Sequence, residues 1–170
     1  FRGFMALGKE TTSGQVDERE QIEIGPEEEE CESSTTQVED RLRGPNLWPP
    51  SLREVTEAWL EACRHVAERL VRLLALALAL PAEALERLVV GEKPHFQAKL
   101  AFYPSGGSNQ GVGAHTDSGL LTLLWQDAPG LQVLSGSRWL DAPPLPDTLV
   151  CNLGEMLQLA SRAVSETNCL

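Results

Sequence analysis

Residues 111–134 read GVGAHTDSGLLTLLWQDAPGLQVL, and the rest of the 170-residue chain can be placed by working outward from them. A small-residue opening leads into His115, Thr116 and Asp117. Two apolar runs of strand length follow, GLLTLLW (119–125) and LQVL (131–134), divided by the turn material QDAPG. Apolar runs this short, bounded by Gly and Pro, suit strands and are too brief for ordinary helices. The same pattern continues on both sides. FQAKLAFY (96–103) precedes it across PSGGSNQG, and RWL (138–140) and TLVCN (148–152) follow it across SGS and DAPPLPD. Short strands at such spacing predict an antiparallel β-sandwich or barrel over the second half of the chain.

Within that stretch, a His and an acid two positions apart on extended backbone project to the same side. A neutral imidazole nitrogen and a carboxylate oxygen can then take neighbouring corners of one metal ion. Mixed N/O ligation of this kind suits iron(II), whose oxygenase sites use two His and one carboxylate and keep three positions open. Gly111, Gly113 and Gly119 are expected to let the backbone bend close to a ligand. The H-x-D pattern alone is unspecific, and a surface hydrogen-bonded pair is the commoner meaning of it.

The first half reads differently. Residues 1–25 mix Gly, Thr and acids around short apolar patches and predict extended loop. PEEEECESSTTQVED (26–40) predicts a solvated acidic loop, with an interaction tail as the alternative, and GPNLWPP (44–50) a rigid turn anchored by Trp48. Ser51 and Glu54 have the spacing of a capping box. Val55, Trp59, Cys63, Val66, Leu70, Leu73 and Ala77 then recur at helical spacing, which predicts one long amphipathic helix with those residues inward, ended by Pro81. PAEALERLV (81–89) predicts a short second helix with Pro in its first turn.

Composition narrows the function classes. An apolar content of 42% fits a globular domain, and a formal net charge of −11 without a Lys/Arg cluster argues against nucleic acid or an anionic membrane as partner. The apolar run LLALALAL (73–80) is far shorter than the roughly 20 residues a membrane span needs. Cys31, Cys63, Cys151 and Cys169 are widely separated, which fits neither a zinc knuckle nor a disulfide framework. Reduced thiols and a cytoplasmic location are the expectation. His65, on the long helix beside charged residues, is expected to face solvent, and His95, in a loop after Pro94, is not expected to be a ligand. Trp125 and Trp139 are expected to act as core or rim anchors.

Several ordered blocks resemble the iron(II)- and 2-oxoglutarate-dependent oxygenases of the isopenicillin N synthase-like superfamily. RGFMALGKETTSGQVDEREQIEIG (2–25) is similar to the family's opening segment, and GPNLWPP to its turn before the long helix. KLAFYPS resembles the strand ending in Tyr-Pro, GVGAHTDSGLLTLLWQDAPGLQVL the His-Thr-Asp core, and RWLDAPPLPDTLVCNLGEMLQ the strand-to-turn stretch beyond it. The resemblance implies a double-stranded β-helix (jelly-roll) core, mainly β within an α+β chain, flanked by the long N-terminal helix. It implies three segments: a loop-rich N-terminal oxygenase region at 1–50 with an acidic insertion at 26–43, a helical flank at 51–92, and part of the jelly-roll oxygenase domain at 93–170. It also implies that His115 and Asp117 are metal ligands and that Tyr103 donates its phenol O–H to the far carboxylate of 2-oxoglutarate. Glu155 stands where the family often has Asp and is expected to orient the turn.

The cofactors implied are Fe(II), 2-oxoglutarate as cosubstrate, and ascorbate as an optional addition. The implied reaction couples conversion of 2-oxoglutarate to succinate and CO2 with oxidation of a small organic metabolite by O2, in a protein that is monomeric when complete. The resemblance breaks after Leu159, where the chain reads ASRAVSETNCL. The family's distal His and its 2-oxoglutarate-binding Arg have no counterpart, since no His follows His115 and Arg162 comes too early. The expectation is therefore a C-terminally incomplete oxygenase with weak or no activity of its own. The alternative is a non-catalytic jelly-roll module that binds or regulates.

Overall fold

The computed structural model describes residues 2–29, 44–86, 95–106 and 110–161. Its contacts divide the chain into two compact units, residues 1–112 and 113–170. The first unit holds β1 (Gly3–Met5), β2 (Thr11–Thr12), β3 (Gln15–Val16), β4 (Glu20–Ile24), α1 (Arg53–Ala77) and β5 (Ala98–Phe102). The second holds β6 (Leu121–Leu124), β7 (Gln132–Ser135), β8 (Arg138–Asp141), β9 (Val150–Leu153) and the short α2 (Glu155–Ala160).

The N-terminal 25 residues, expected as loop, form four strands. β1, β4 and β5 make an antiparallel sheet in that order, with Glu23 paired to Gly3 on one side and to Lys99 on the other. Their pattern hid them because the buried positions are largely polar. Gln21 and Glu23 are both buried on β4, with Glu23 accepting from the Gln21 amide at 2.9 Å and facing Lys99 Nζ at 3.0 Å. β2 and β3 form a hairpin whose two loop residues, Ser13 and Gly14, have φ of 52° and 80°. Both are in the left-handed region, as the tight turn that matches strand twist requires.

The turn at 44–50 is fastened to the end of β4 by a polar clamp. The Asn46 side chain accepts from the Gly25 N–H and donates to the Gly25 carbonyl, each at 2.9 Å. Arg2 Nη1 donates to Asn46 Oδ1 and to the Pro26 carbonyl. Trp48 Nε1 donates to Glu27 Oε2 at 2.7 Å, so Trp48 anchors the turn as expected, through its polar edge. Burial alone would raise the Glu27 carboxyl. The hydrogen bonds from Trp48 and Asn46 outweigh it and hold the group below its usual value.

α1 forms as one 25-residue helix, but three sequence expectations about it need correction. It begins at Arg53 with Leu52 as its N-cap and no side-chain capping bond, so Ser51 and Glu54 do not form the box. It ends before Pro81 in a Schellman closure. Leu80 N–H bonds the Ala75 carbonyl, Ala79 N–H bonds that of Leu76, and Ala79 takes the left-handed φ of 57°. Its buried residues are Thr56, Val71 and Ala75, whereas Val55, Trp59, Val66 and Leu73 are exposed. Small side chains fill the inward stripe. Of the expected second helix, residues 81–86 make i→i+3 turns, tied back to α1 by Arg72 through Glu83 and Glu86. Residues 87–89 lie outside the described residues, as does most of the acidic stretch 26–40.

In the second unit the strands form where the alternation of apolar runs and turns put them. β7 and β8 pair around Gly136, whose φ is 61°. β6 and β9 pair antiparallel, Leu121 opposite Leu153 and Thr122 opposite Asn152. Leu157 on α2 is fully buried in this unit, while Trp125 and Trp139, expected as core or rim anchors, are exposed. Among the described residues no helix is long and apolar enough to cross a membrane. Cys63 and Cys151 are free thiols, and burial raises both above the usual thiol range, which keeps them protonated and weakly nucleophilic at neutral pH.

Candidate metal centre

His115 and Asp117 lie in the loop just ahead of β6, and their side chains converge. His115 Nε2 and Asp117 Oδ1 are 3.5 Å apart, with side-chain exposures of 36% and 22%. Donor atoms on neighbouring corners of one ion, each about 2.1 Å from it, stand about 3 Å apart, so this pair needs little adjustment to share a metal.

The far side of each group is already engaged. His115 Nδ1 is 2.8 Å from the Gly113 carbonyl, which can only accept. Nδ1 therefore carries a hydrogen, and Nε2 is the nitrogen left to serve a metal. Asp117 Oδ2 accepts from Asn152 Nδ2 at 2.8 Å, leaving Oδ1 as the oxygen facing the imidazole. Supporting hydrogen bonds of this kind orient metal ligands. The Oδ1 of Asn152 is buried and has no partner among the described residues. These residues fit two corners of an iron site. Among the described residues no third His, Cys, Asp or Glu joins them.

The backbone of the ligand segment is held by the β9–α2 corner. Gly154 N–H bonds the Leu120 carbonyl at 3.1 Å, Glu155 N–H that of Asp117 at 2.8 Å, and Met156 N–H that of Gly119 at 3.2 Å. The Glu155 main chain thus orients the turn. A Cβ on Gly154 would lie 2.0 Å from the Gly119 carbonyl oxygen and 2.9 Å from that of Asp117, so only glycine allows this approach. A Cβ on Gly119, where close approach to a ligand was expected, would meet no protein atom within 4 Å among the described residues. Asn152 and Gly154 were missed as functional residues because each lies some 35 positions from its partner, and only the β6–β9 pairing joins them.

Tyr103 belongs to the first unit, one residue beyond β5. Its ring covers Gly111, where a Cβ would approach within 2.6 Å of Cδ1. Arg19 Nη1 donates to its hydroxyl at 3.4 Å while the same guanidinium grips Glu10. Because arginine only donates, the phenol oxygen accepts there and its own hydrogen is free for another acceptor. His65 is exposed as expected, with Nδ1 2.8 Å from the Glu61 carbonyl, and His95 is exposed as well. Arg162 and Cys169 lie outside the described residues.

The 2OG-Fe(II) oxygenase superfamily model matches residues 88–167. A homoarginine-6-hydroxylase, 2-ODD-C23 of Glycine max, is 37% identical over 98% of this chain and 54% of its own length. A full-length protein of Neurospora crassa, solved in complex with alpha-KG, is 26% identical with a TM-score of 0.75, over 99% of this chain and 56% of that one. JOX2, solved in complex with 2OG, Fe and JA, has a TM-score of 0.79 at 21% identity, over 99% of this chain and 49% of that one, and speaks for the jelly-roll fold alone. The chain spans about half the length of the curated relatives it matches. With these likenesses and the His-Thr-Asp segment in one chain, the protein belongs to the 2OG-Fe(II) oxygenase superfamily.

Proposed function

We propose that the protein carrying this chain is an iron(II)- and 2-oxoglutarate-dependent oxygenase that oxidises a small organic metabolite with O2, by hydroxylation, desaturation or ring closure. The observation that carries this reading is the 3.5 Å approach of His115 Nε2 to Asp117 Oδ1 with the opposite side of each group hydrogen-bonded away. Bound iron would supply the activation of O2 and of the keto acid. His115 and Asp117 hold the ion, Gly113 fixes the imidazole tautomer, and the β9–α2 corner fixes the carboxylate. Tyr103 donates to the far carboxylate of 2-oxoglutarate, a role open to it because its oxygen accepts from Arg19 and its hydrogen is not used there. Relatives named for homoarginine hydroxylation support a small-molecule substrate. The same reading has the protein monomeric and cytoplasmic, with ascorbate as an optional reductant and neither nucleic acid nor membrane as partner.

The test is succinate release by the full-length protein with Fe(II), 2-oxoglutarate and O2. His115→Ala and Asp117→Ala are each expected to abolish turnover while leaving the circular dichroism spectrum unchanged. A merely hydrogen-bonded surface pair would shift stability by under about 0.5 kcal/mol and leave turnover alone. The second reading, a non-catalytic jelly-roll module, is favoured by the lack of a third donor among the described residues. It predicts no succinate from the full-length protein with any candidate metabolite.

A further inference from the structure

Asn152 is 6% exposed, in the middle of a strand whose pairing with β6 uses only main-chain groups. An apolar side chain would fill that position without burying an unmet acceptor, yet the amide is there, with Nδ2 on Asp117 Oδ2 at 2.8 Å and Oδ1 without a partner among the described residues. A buried amide satisfied at one end only is costly in a core. Its one contact falls on a carboxylate whose other oxygen faces His115. We propose that Asn152 is a positioning residue that makes Asp117 a one-oxygen ligand.

The argument is geometric and rests on Asp117 being a metal ligand. A free carboxylate can bind an ion through one oxygen or through both. With Asn152 on Oδ2, the lone pairs of that oxygen are partly committed and the carboxylate plane is fixed, so Oδ1 alone is directed at the position it shares with Nε2. A one-oxygen carboxylate uses one corner of the ion instead of two and leaves the other for a cosubstrate. The amide lies 35 residues from Asp117 in the chain, and strand pairing holds the two in register through Thr122 opposite Asn152. The carboxylate is thereby locked to the sheet as well as to its own loop.

The experiment is anaerobic titration of Fe(II) into the full-length protein and its Asn152→Leu, His115→Ala and Asp117→Ala variants. Metal-free thermal midpoints and metal-loaded minus metal-free infrared difference spectra are recorded in parallel. Asn152→Leu keeps the branched outline with larger end groups and is expected to bind Fe(II) about 10- to 100-fold more weakly, the usual effect of removing a ligand's supporting group. Its metal-free midpoint should fall somewhat from the added volume, and the separation of the carboxylate stretching bands should narrow as Asp117 turns two-oxygen. Wild-type affinity with an unchanged band separation in Asn152→Leu overturns the proposal. Wild-type affinity in both His115→Ala and Asp117→Ala overturns the underlying ligand assignment, and the proposal with it. Should Asn152→Leu not fold, Asn152→Thr, β-branched and too short to reach Asp117, is read by the same two measurements.

Discussion

A histidine and an aspartate two residues apart become a metal pair only when their remaining polar atoms are occupied elsewhere, and here the sequence and the structure divide the work. The spacing of His115 and Asp117 was legible because extended backbone sends alternate side chains to one side. What turns them toward each other was not, since Gly113, Asn152 and Gly154 act through hydrogen bonds and a backbone approach that no local pattern encodes. Gly154→Ala is the sharpest check on that corner. Its methyl would collide with main-chain oxygen, which cannot rotate away, so the loop must move. The expected cost is about 1–3 kcal/mol of stability, measured by denaturant unfolding, with weakened Fe(II) binding in the same variant. In the role proposed for Tyr103, replacement by Phe would remove one hydrogen bond to a charged carboxylate, worth about 1.5–3 kcal/mol. The KM for 2-oxoglutarate should rise roughly 10-fold or more with a smaller change in kcat, and an unchanged KM would take Tyr103 out of the cosubstrate site.

Among elements, the strands of the second unit were readable because Gly and Pro bracket every apolar run. The N-terminal strands were not, being two to five residues long with polar residues on their buried positions. α1 was recognised as a helix but not in the right phase: its C-terminal turns are apolar all round, and the inward stripe uses Thr56 and Ala75, which carry little hydrophobic signal. The same helix ends on a non-glycine left-handed residue, so Ala79→Gly should stabilise the first unit by about 1 kcal/mol by relieving the Cβ strain, read as a rise in thermal midpoint. The clamp at 44–50 gives a pH signature. Glu27 is held below its free value of 4.5 in the folded chain, so its contribution is complete above about pH 4.5 and is lost as pH falls through the lower folded value. Trp48→Phe removes the indole donor and should move the acid-unfolding midpoint upward in pH. An unmoved midpoint would show that the Trp48 hydrogen bond contributes nothing.

For the whole molecule, two opposing forces act on the 170 residues taken alone. Large apolar side chains are exposed in both units, among them Val55, Trp59 and Leu73 on α1 and Trp125, Leu140 and Leu145 beyond residue 113. Surface of this kind favours association. The net charge of −11 opposes it by repulsion between copies. Salt shortens the reach of that repulsion to about 8 Å at 0.15 M, while apolar attraction is not weakened by it. The chain by itself is therefore expected to sediment as a monomer at low salt and to self-associate as salt is raised. Its Fe(II) binding should be weak at every salt concentration, since the described residues offer two converging donors and the rest of the coordination would fall to water. Sedimentation velocity across a salt series, with an anaerobic Fe(II) titration at each point, separates the two effects. Association that falls with added salt would mean that charge contacts hold the copies together, and tight one-to-one Fe(II) binding would mean that a residue outside the described set completes the site.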